Sequence, residues 1–322
     1  MITDRIDNIT RIPENYRSPV PPAPKSVKIE LTARCDFQCF FCATGYKLRE
    51  KKDMEWALFA RLAREMREAG VEELGLFYLG ESFLSKDLVR AIKFAKTELG
   101  YPYVFLTTNG RLAKFDAVRA CYEAGLDSLK FSFNWADPEQ CKEITRVDAF
   151  DTVVQNIKDA RRARDEVAAE TGHRGGLYAS SIEYDGEQLV RMKEAVALIE
   201  PSVDQHYWLP LYGQAGLTAG ARGTVPVAGN IGRAANKRDP LPCWSIFTEG
   251  HVTYDGKLSA CCFDHDGRFN MGDLTKTPFV EAWNGTAFQK LRMANLAKDV
   301  RGTACEQCVA YQDHKVDVAR AD

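Results

Sequence analysis

The stretch LTARCDFQCFFCATG, residues 31–45, sets three cysteines at the spacing Cys35-x3-Cys39-x2-Cys42, directly after the run SVKIELT from Ser26. A β-branched run that ends in a thiol-bearing loop is a strand delivering metal ligands at its C-terminal end. Three thiolates can hold three corners of an iron–sulfur cluster and leave a fourth iron open. Zinc is the competing metal, but structural zinc sites take four ligands, usually from paired C-x2-C knuckles.

Outward from that loop, short β-branched or aromatic runs alternate with stretches of helical period between residues 26 and 212. The further strand expectations are ELGLFYL from Glu73, with its first residues as loop, YVFLTT from Tyr103, SLKFSF from Ser128, LYASSIE from Leu177 and QHYWLPL from Gln205. Strands separated by helices make parallel sheets with crossover connections. Six such units predict an α/β fold, an open partial (βα)6 barrel, with functional groups at the C-terminal ends of its strands. The first helix carries Met54, Leu58, Leu62 and Met66 at intervals of four, with Gly70 placed to stop it. That stripe is expected to face the sheet.

Residues 1–25, with Pro13, Pro19, Pro21, Pro22 and Pro24, read as an irregular arm, and 26–216 as the barrel. The Gly- and Ala-rich 217–240 read as a linker, and 241–322 as a separate small α+β unit with the turn signal Asp255-Gly256 in IFTEGHVTYDGKLSACC. The 322 residues are 45% hydrophobic and 27% charged, with a formal net charge of −2. That charge offers no footprint for nucleic acid or an anionic membrane, and no apolar run reaches the about 18 residues of a membrane span. Acids and prolines stand where a signal peptide would have its apolar core, so the expected location is cytoplasmic. In a reducing compartment the ten cysteines point to metal rather than to disulfides. Cys121, in a helical stretch, reads as a buried and inert thiol.

Phe41 stands immediately before Cys42, and Cys35-x3-Cys39-x2-Cys42 resembles the signature of the radical S-adenosylmethionine (radical SAM) superfamily. The resemblance implies that the three cysteines bind a [4Fe–4S] cluster whose open iron chelates SAM. It also implies cleavage of SAM to a 5′-deoxyadenosyl radical that abstracts hydrogen from a substrate C–H bond, with a one-electron donor such as flavodoxin or ferredoxin. After the second strand, LGES at 79–82 resembles the family's Gly-Gly-Glu-Pro segment, with Leu79 and Ser82 replacing the first Gly and the Pro. That likeness implies SAM contacts from Gly80, Glu81 and Ser82, Glu81 accepting from the SAM ammonium. TTNG at 107–110 and SFN at 132–134 resemble segments lining the SAM pocket, which adds Asn109, Ser132 and Asn134, with Phe41 beside the cluster.

Toward the C-terminus, Cys243-x17-Cys261 and then Cys305-x2-Cys308 supply four thiolates, enough to ligate every corner of a second cluster or a zinc ion. Together with MGDL, EAWNG and FQKLR before the last pair, this arrangement resembles the shortened "twitch" form of the SPASM extension. The likeness implies one auxiliary [4Fe–4S] cluster, two clusters in all. The seventeen-residue gap favours Cys261 over its neighbour Cys262.

A fully ligated cluster moves electrons rather than binding substrate. Twitch-bearing relatives include aminocyclitol dehydrogenases, and the resemblance implies oxidation of a sugar- or cyclitol-like secondary alcohol to a ketone, with an electron passing to the auxiliary cluster. Three alternatives stand beside it. One is redox-neutral epimerisation with Cys121, Cys141 or Cys262 as hydrogen donor. Another is peptide modification, although a strand beginning near residue 26 leaves no room for a leader-binding domain. The third is non-enzymatic zinc binding. A small-molecule substrate is expected between the barrel mouth and the C-terminal unit. Glu183, His206 and Tyr212 are the candidate catalytic residues, Ser180 and Gln214 further polar groups, and Tyr184, Tyr207 and Trp208 stacking surfaces. Strand alternation lets only about half of these point inward.

Overall fold

The computed structural model describes residues 1–42, 48–184, 186–209, 241–264, 267–306 and 308. Six parallel strands lie side by side in chain order: β1 Ser26–Ile29, β2 Glu73–Gly75, β3 Tyr103–Thr108, β4 Ser128–Ser132, β5 Gly176–Ile182 and β6 Gln205–Leu209. Helices Trp56–Glu68, Leu88–Lys93, Phe115–Glu123, Phe150–Thr171 and Gly186–Ala197 make the crossovers. The partial (βα)6 barrel is therefore as expected. In ELGLFYL, however, the strand is the first three residues and the loop is the remainder, the reverse of the sequence reading.

Helix Trp56–Glu68 buries Phe59, Leu62, Ala63 and Met66 against the sheet, and Gly70 ends it at φ +96°. Each large side chain so buried contributes about 1.5–3 kcal/mol. Met54 precedes the helix, and Leu58 lies at the edge of its buried face, near Gly256.

Register decides which side chains meet these helices. Val27, Leu74 and Val104 occupy matched positions across β1 to β3, as do Leu106, Leu129 and Leu177 across β3 to β5, and all join the helix-packed core. The intervening positions, Lys28, Gly75, Phe105, Lys130, Ser132, Ser180 and Tyr207, line the opposite, concave face.

Beyond residue 240 the chain returns to the same sheet. Strand β7, Glu249–Val252, runs parallel to β1 on its free side, pairing Ser26 with Glu249 and Lys28 with His251. The turn at Asp255-Gly256, with Gly256 at φ +77°, leads into antiparallel β8, Lys257–Ser259, and β9, Asn270–Asp273, follows. The hairpin thus extends the barrel sheet to nine strands. Helices Phe279–Trp283 and Thr286–Leu296 pack beyond it. Buried Arg292 lies 4.3 Å from the Trp283 ring and 4.6 Å from the Phe288 ring, donating to the carbonyls of Ile246 and Pro19. The indole N–H of Trp283 donates to the carbonyl of Pro22, so the proline-rich segment straps these helices.

The first 25 residues are not wholly irregular, which corrects the expectation. Ile2–Thr10 is a helix, with Ile2 and Ile9 buried, and Glu14–Tyr16 forms a short 3-10 turn. Arg5 reaches Glu73 at 2.6 Å and stacks 3.3 Å from the Tyr103 ring, while Gln205 donates to Thr3 Oγ1. Glu73, Tyr103 and Gln205 begin β2, β3 and β6, so this helix covers the N-terminal side of the barrel. The sequence reading weighed the five prolines that follow and missed the i, i+4, i+7 spacing of Ile2, Ile6 and Ile9. Among the described residues no helix is long and apolar enough to cross a membrane. The expected linker at 217–240 lies outside the described residues.

Candidate active site at the strand C-termini

The three-cysteine loop leaves β1 and is braced at both ends. Arg34 grips Asp53 with two hydrogen bonds, of 2.9 and 2.7 Å, and also donates to the carbonyl of Leu84. Such a bidentate pair fixes geometry as well as charge. In the middle of the loop, the N–H groups of Gln38 and Phe40 donate to Thr145 and Ile144, and Phe37 packs edge-on against Trp135 at 5.6 Å. Cys35, Cys39 and Cys42 lie near enough for their charges to interact. Burial, with Glu81 and Cys42 adding to it, pushes the Cys35 thiol up to about 12, and burial pushes Cys39 well up too. Thiols held neutral in this way ionise when a cation compensates them, as iron does. Phe41 is half-buried with its ring edge-on to Phe40.

The segments after β2 and β3 lock onto this loop. Glu81 is 2% exposed and accepts three hydrogen bonds, from Thr108 Oγ1 at 2.8 Å, the Asn109 N–H at 2.7 Å and the Phe83 N–H at 3.1 Å. A carboxylate has about four acceptor sites, so one direction stays open for a further donor. Gly80 has a task within the chain. A Cβ there would lie 2.0 Å from the carbonyl oxygen of Thr32 and 2.8 Å from that of Arg34. Its lack of a side chain lets the β2 loop dock on the cysteine loop, where the Glu81 N–H donates to Arg34. Ser82 Oγ is turned inward and donates to the carbonyl of Leu76 at 2.7 Å. Asn109 donates to Asp36 at 2.7 Å and approaches Cys35 Sγ at 3.9 Å, and Arg111 clamps the other Asp36 oxygen. Asp36, which the sequence reading passed over, thereby holds the first cysteine against the β3 loop. Ser132 closes β4 on the concave face, while Asn134 accepts from the N–H of Ile182.

Burial raises the Glu81 carboxyl to about 7 against the pull of its three donors. A folded-state value above the unfolded one means that stability falls as pH rises from about 4.5 to about 7. Denaturation of wild type and Glu81→Gln across that window should show the difference moving in favour of the variant as pH rises. A pH-independent difference would exclude this titration.

The second set gathers on the hairpin side. Thiol charges of Cys243, Cys261, Cys262, Cys305 and Cys308 interact with one another. Burial pushes Cys305 up to about 11, and Cys243 and Cys261 well up. Fully buried Asn295 ties the set together, accepting from the Cys243 N–H at 3.1 Å and approaching Cys305 Sγ at 3.8 Å. Cys308 N–H donates to the Cys305 carbonyl. Cys261 and Cys262 both interact with the set, so geometry leaves either as its fourth member. Among the described residues no group of three or more His, Cys, Asp or Glu is arranged to hold a single metal ion. Tyr78, two residues before Gly80 in the loop after β2, donates its hydroxyl to the carbonyl of Cys261 at 2.7 Å and so ties that loop to the second set.

Of the candidate catalytic residues, the two that are described, His206 and Glu183, do not converge. His206 pairs with Ala179 and faces the helix side of the sheet, where it lies 2.9 Å from Ser181 Oγ and burial lowers it to about 4. Glu183 is exposed just beyond β5, and Tyr212 lies outside the described residues, as does Gln214. A one-residue shift in parity moves a strand side chain to the other face, which is why QHYWL could not be oriented before its register was known. Of the stacking candidates, Tyr207 faces inward and Trp208 outward beside His206, while Tyr184 donates to the carbonyl of Asn134.

Residues 29–175 match the radical SAM superfamily, and residues 243–309 match SPASM, an iron–sulfur cluster-binding domain. The chain therefore carries a radical SAM domain followed by a SPASM domain, which imply a [4Fe–4S] cluster with SAM at the first site and further iron–sulfur at the second. A probable GTP 3′,8-cyclase of Saccharolobus solfataricus is 38% identical over 142 residues, covering 42% of this chain and 43% of that protein. The chain thus spans less than half the length of the curated relatives it matches. Among solved structures, BtrN in complex with AdoMet and 2-DOIA aligns with TM-score 0.55 at 14% identity, covering 84% of this chain and 86% of that one. SuiB of Streptococcus suis bound to its precursor peptide SuiA aligns with TM-score 0.66 at 14% identity, covering 91% and 71%. At such identities the likeness is one of fold.

Proposed function

We propose that this protein is a radical SAM oxidoreductase that converts a sugar- or cyclitol-like secondary alcohol to a ketone. The observation that carries this reading is the second cysteine set, which has thiols enough to ligate a whole cluster and is tied through Tyr78 to the β2 loop that docks on the first. Cys35, Cys39 and Cys42 would hold the first cluster, with Glu81 offering its open acceptor direction to the SAM ammonium. Cys243, Cys261 or Cys262, Cys305 and Cys308 would hold the auxiliary one. When bound, these groups supply a hydrogen-abstracting radical at the first site and a one-electron acceptor at the second. The chain's own residues position and exclude. Gly80, Asp36 and Asn109 fix the first cysteine loop, and Asn295 fixes the second set. Cys121 and Cys141, two of the three spare thiols an epimerase could use, are fully buried in the helix-packed core, which favours oxidation.

A cyclisation of GTP is the second reading, favoured by the 38% identity to the cyclases. Against it, several cations near the site already hold carboxylates: Lys28 with Glu249, Arg49 with Glu30, Arg34 with Asp53 and Arg111 with Asp36. A triphosphate needs cations to spare, whereas a neutral polyol does not. Formation of 5′-deoxyadenosine by the reconstituted enzyme should rise with neutral cyclitols or sugars, and stay at the substrate-free level with GTP. Stimulation by GTP alone would replace the alcohol with the nucleotide.

A further inference from the structure

We infer that Asn295 is the positioning residue that sets the reduction potential of the second iron–sulfur site: its side-chain amide donates to Cys305 Sγ, and that bond makes a cluster held there easier to reduce. The inference deepens the proposed oxidation, because it rests on the second site serving as the one-electron acceptor.

A polar side chain stands where packing alone would ask for an apolar one. Asn295 lies in the last turn of helix Thr286–Leu296 and is fully buried. A buried amide is tolerated when its oxygen and its hydrogens find partners. The side-chain oxygen accepts from the Cys243 N–H at 3.1 Å, and the side-chain nitrogen donates to the Leu291 carbonyl at 3.0 Å and to Cys305 Sγ at 3.8 Å. These neighbours also fix which way the amide points. A flipped amide would set its NH2 against the Cys243 N–H and its oxygen against the Leu291 carbonyl, donor on donor and acceptor on acceptor. One amide hydrogen is thereby held toward the sulfur. Cys305 is held in turn, since its N–H donates to Thr303 Oγ1 and its carbonyl accepts from the Cys308 N–H. One side chain therefore links Cys243, 52 residues earlier in the chain, to Cys305, 10 residues later.

The chemistry gives the sign. A thiol sulfur is a weak acceptor and an ionised one a stronger acceptor, so the bond gains strength when Cys305 is a metal-bound thiolate. Burial raises the Cys305 thiol, and the Asn295 amide acts against that rise, favouring the ionised form. Reduction adds one negative charge, part of which falls on the ligand sulfurs. An N–H dipole aimed at a sulfur stabilises the reduced state more than the oxidised one and moves the potential upward.

Redox titration of the anaerobically reconstituted full-length protein, followed by electron paramagnetic resonance, reads this directly. The wave of the second cluster is the one that persists when Cys35, Cys39 and Cys42 are replaced. Asn295→Leu keeps the size of the side chain and removes the donor. At a fixed poise it should raise the ratio of oxidised to reduced second cluster about tenfold, equivalent to a potential about 59 mV lower, and leave the first wave in place. An unmoved second wave in a variant with full iron, or a shift of both waves together, overturns the inference. Should leucine cost the second site its iron, the unaltered sequence decides. With ¹⁵N in the asparagine side chains, the reduced second cluster should show a nitrogen coupling in pulsed spectra, and its absence overturns the assignment equally. The titration needs no substrate, so failure of the oxidation reading shows elsewhere, in the mass of the product.

Discussion

Replacing Cys35, Cys39 and Cys42 together with alanine should remove half of about eight iron atoms per chain and abolish SAM cleavage, while the iron held by the second set remains. The two sets sit in different loops with different supports. The first hangs from β1 between the Arg34–Asp53 clamp and helix Pro138–Thr145, and the second is tied by Asn295 beside the hairpin. Loss at one is therefore not expected to unseat the other. Iron and sulfide analysis after anaerobic reconstitution, with a count of 5′-deoxyadenosine, checks both halves. Residual SAM cleavage in the triple variant would refute the assignment of the first site, and a total loss of iron would refute the independence of the second.

Gly80→Ala should be nearly as damaging, although it removes no ligand. The added methyl would meet two backbone oxygens, at 2.0 and 2.8 Å, and neither belongs to a side chain that can swing aside. The overpacking cost belongs at or above the upper end of about 1–3 kcal/mol. It falls on the junction where the β2 loop closes over the cysteine loop. Thermal denaturation should show a lowered midpoint, and reconstitution should show iron lost from the first site with the second intact. A variant with wild-type stability and full iron would mean that the two loops can separate without consequence.

Much of this architecture was legible because its signals are local. Runs such as YVFLTT and SLKFSF bounded by turn residues mark strands, and the cysteine spacings mark the two sets. What was hidden depends on partners distant in sequence. Nothing local in EGHV announces that β7 will lie beside β1, more than two hundred residues earlier, yet that pairing brings Glu249 and His251 to Lys28. The acid-x-histidine alternation was the available clue, since residues two apart in a strand share a face. Likewise, Gly80 and Ser82 were noticed for their resemblance to a ligand-binding segment, while their contacts within the chain are to Thr32, Arg34 and Leu76. The face on which His206 lies depends on parity that its own segment does not set, and Asp36 stands beside a more conspicuous cysteine.

The central claim, oxidation of an alcohol by the paired cysteine sites, is tested most directly by the mass of the organic product made from a substrate carrying deuterium at its carbinol carbon. Oxidation predicts a product lighter by that deuterium and the hydroxyl hydrogen, with the deuterium recovered in 5′-deoxyadenosine. A product of unchanged elemental composition, epimerised or rearranged, would contradict it.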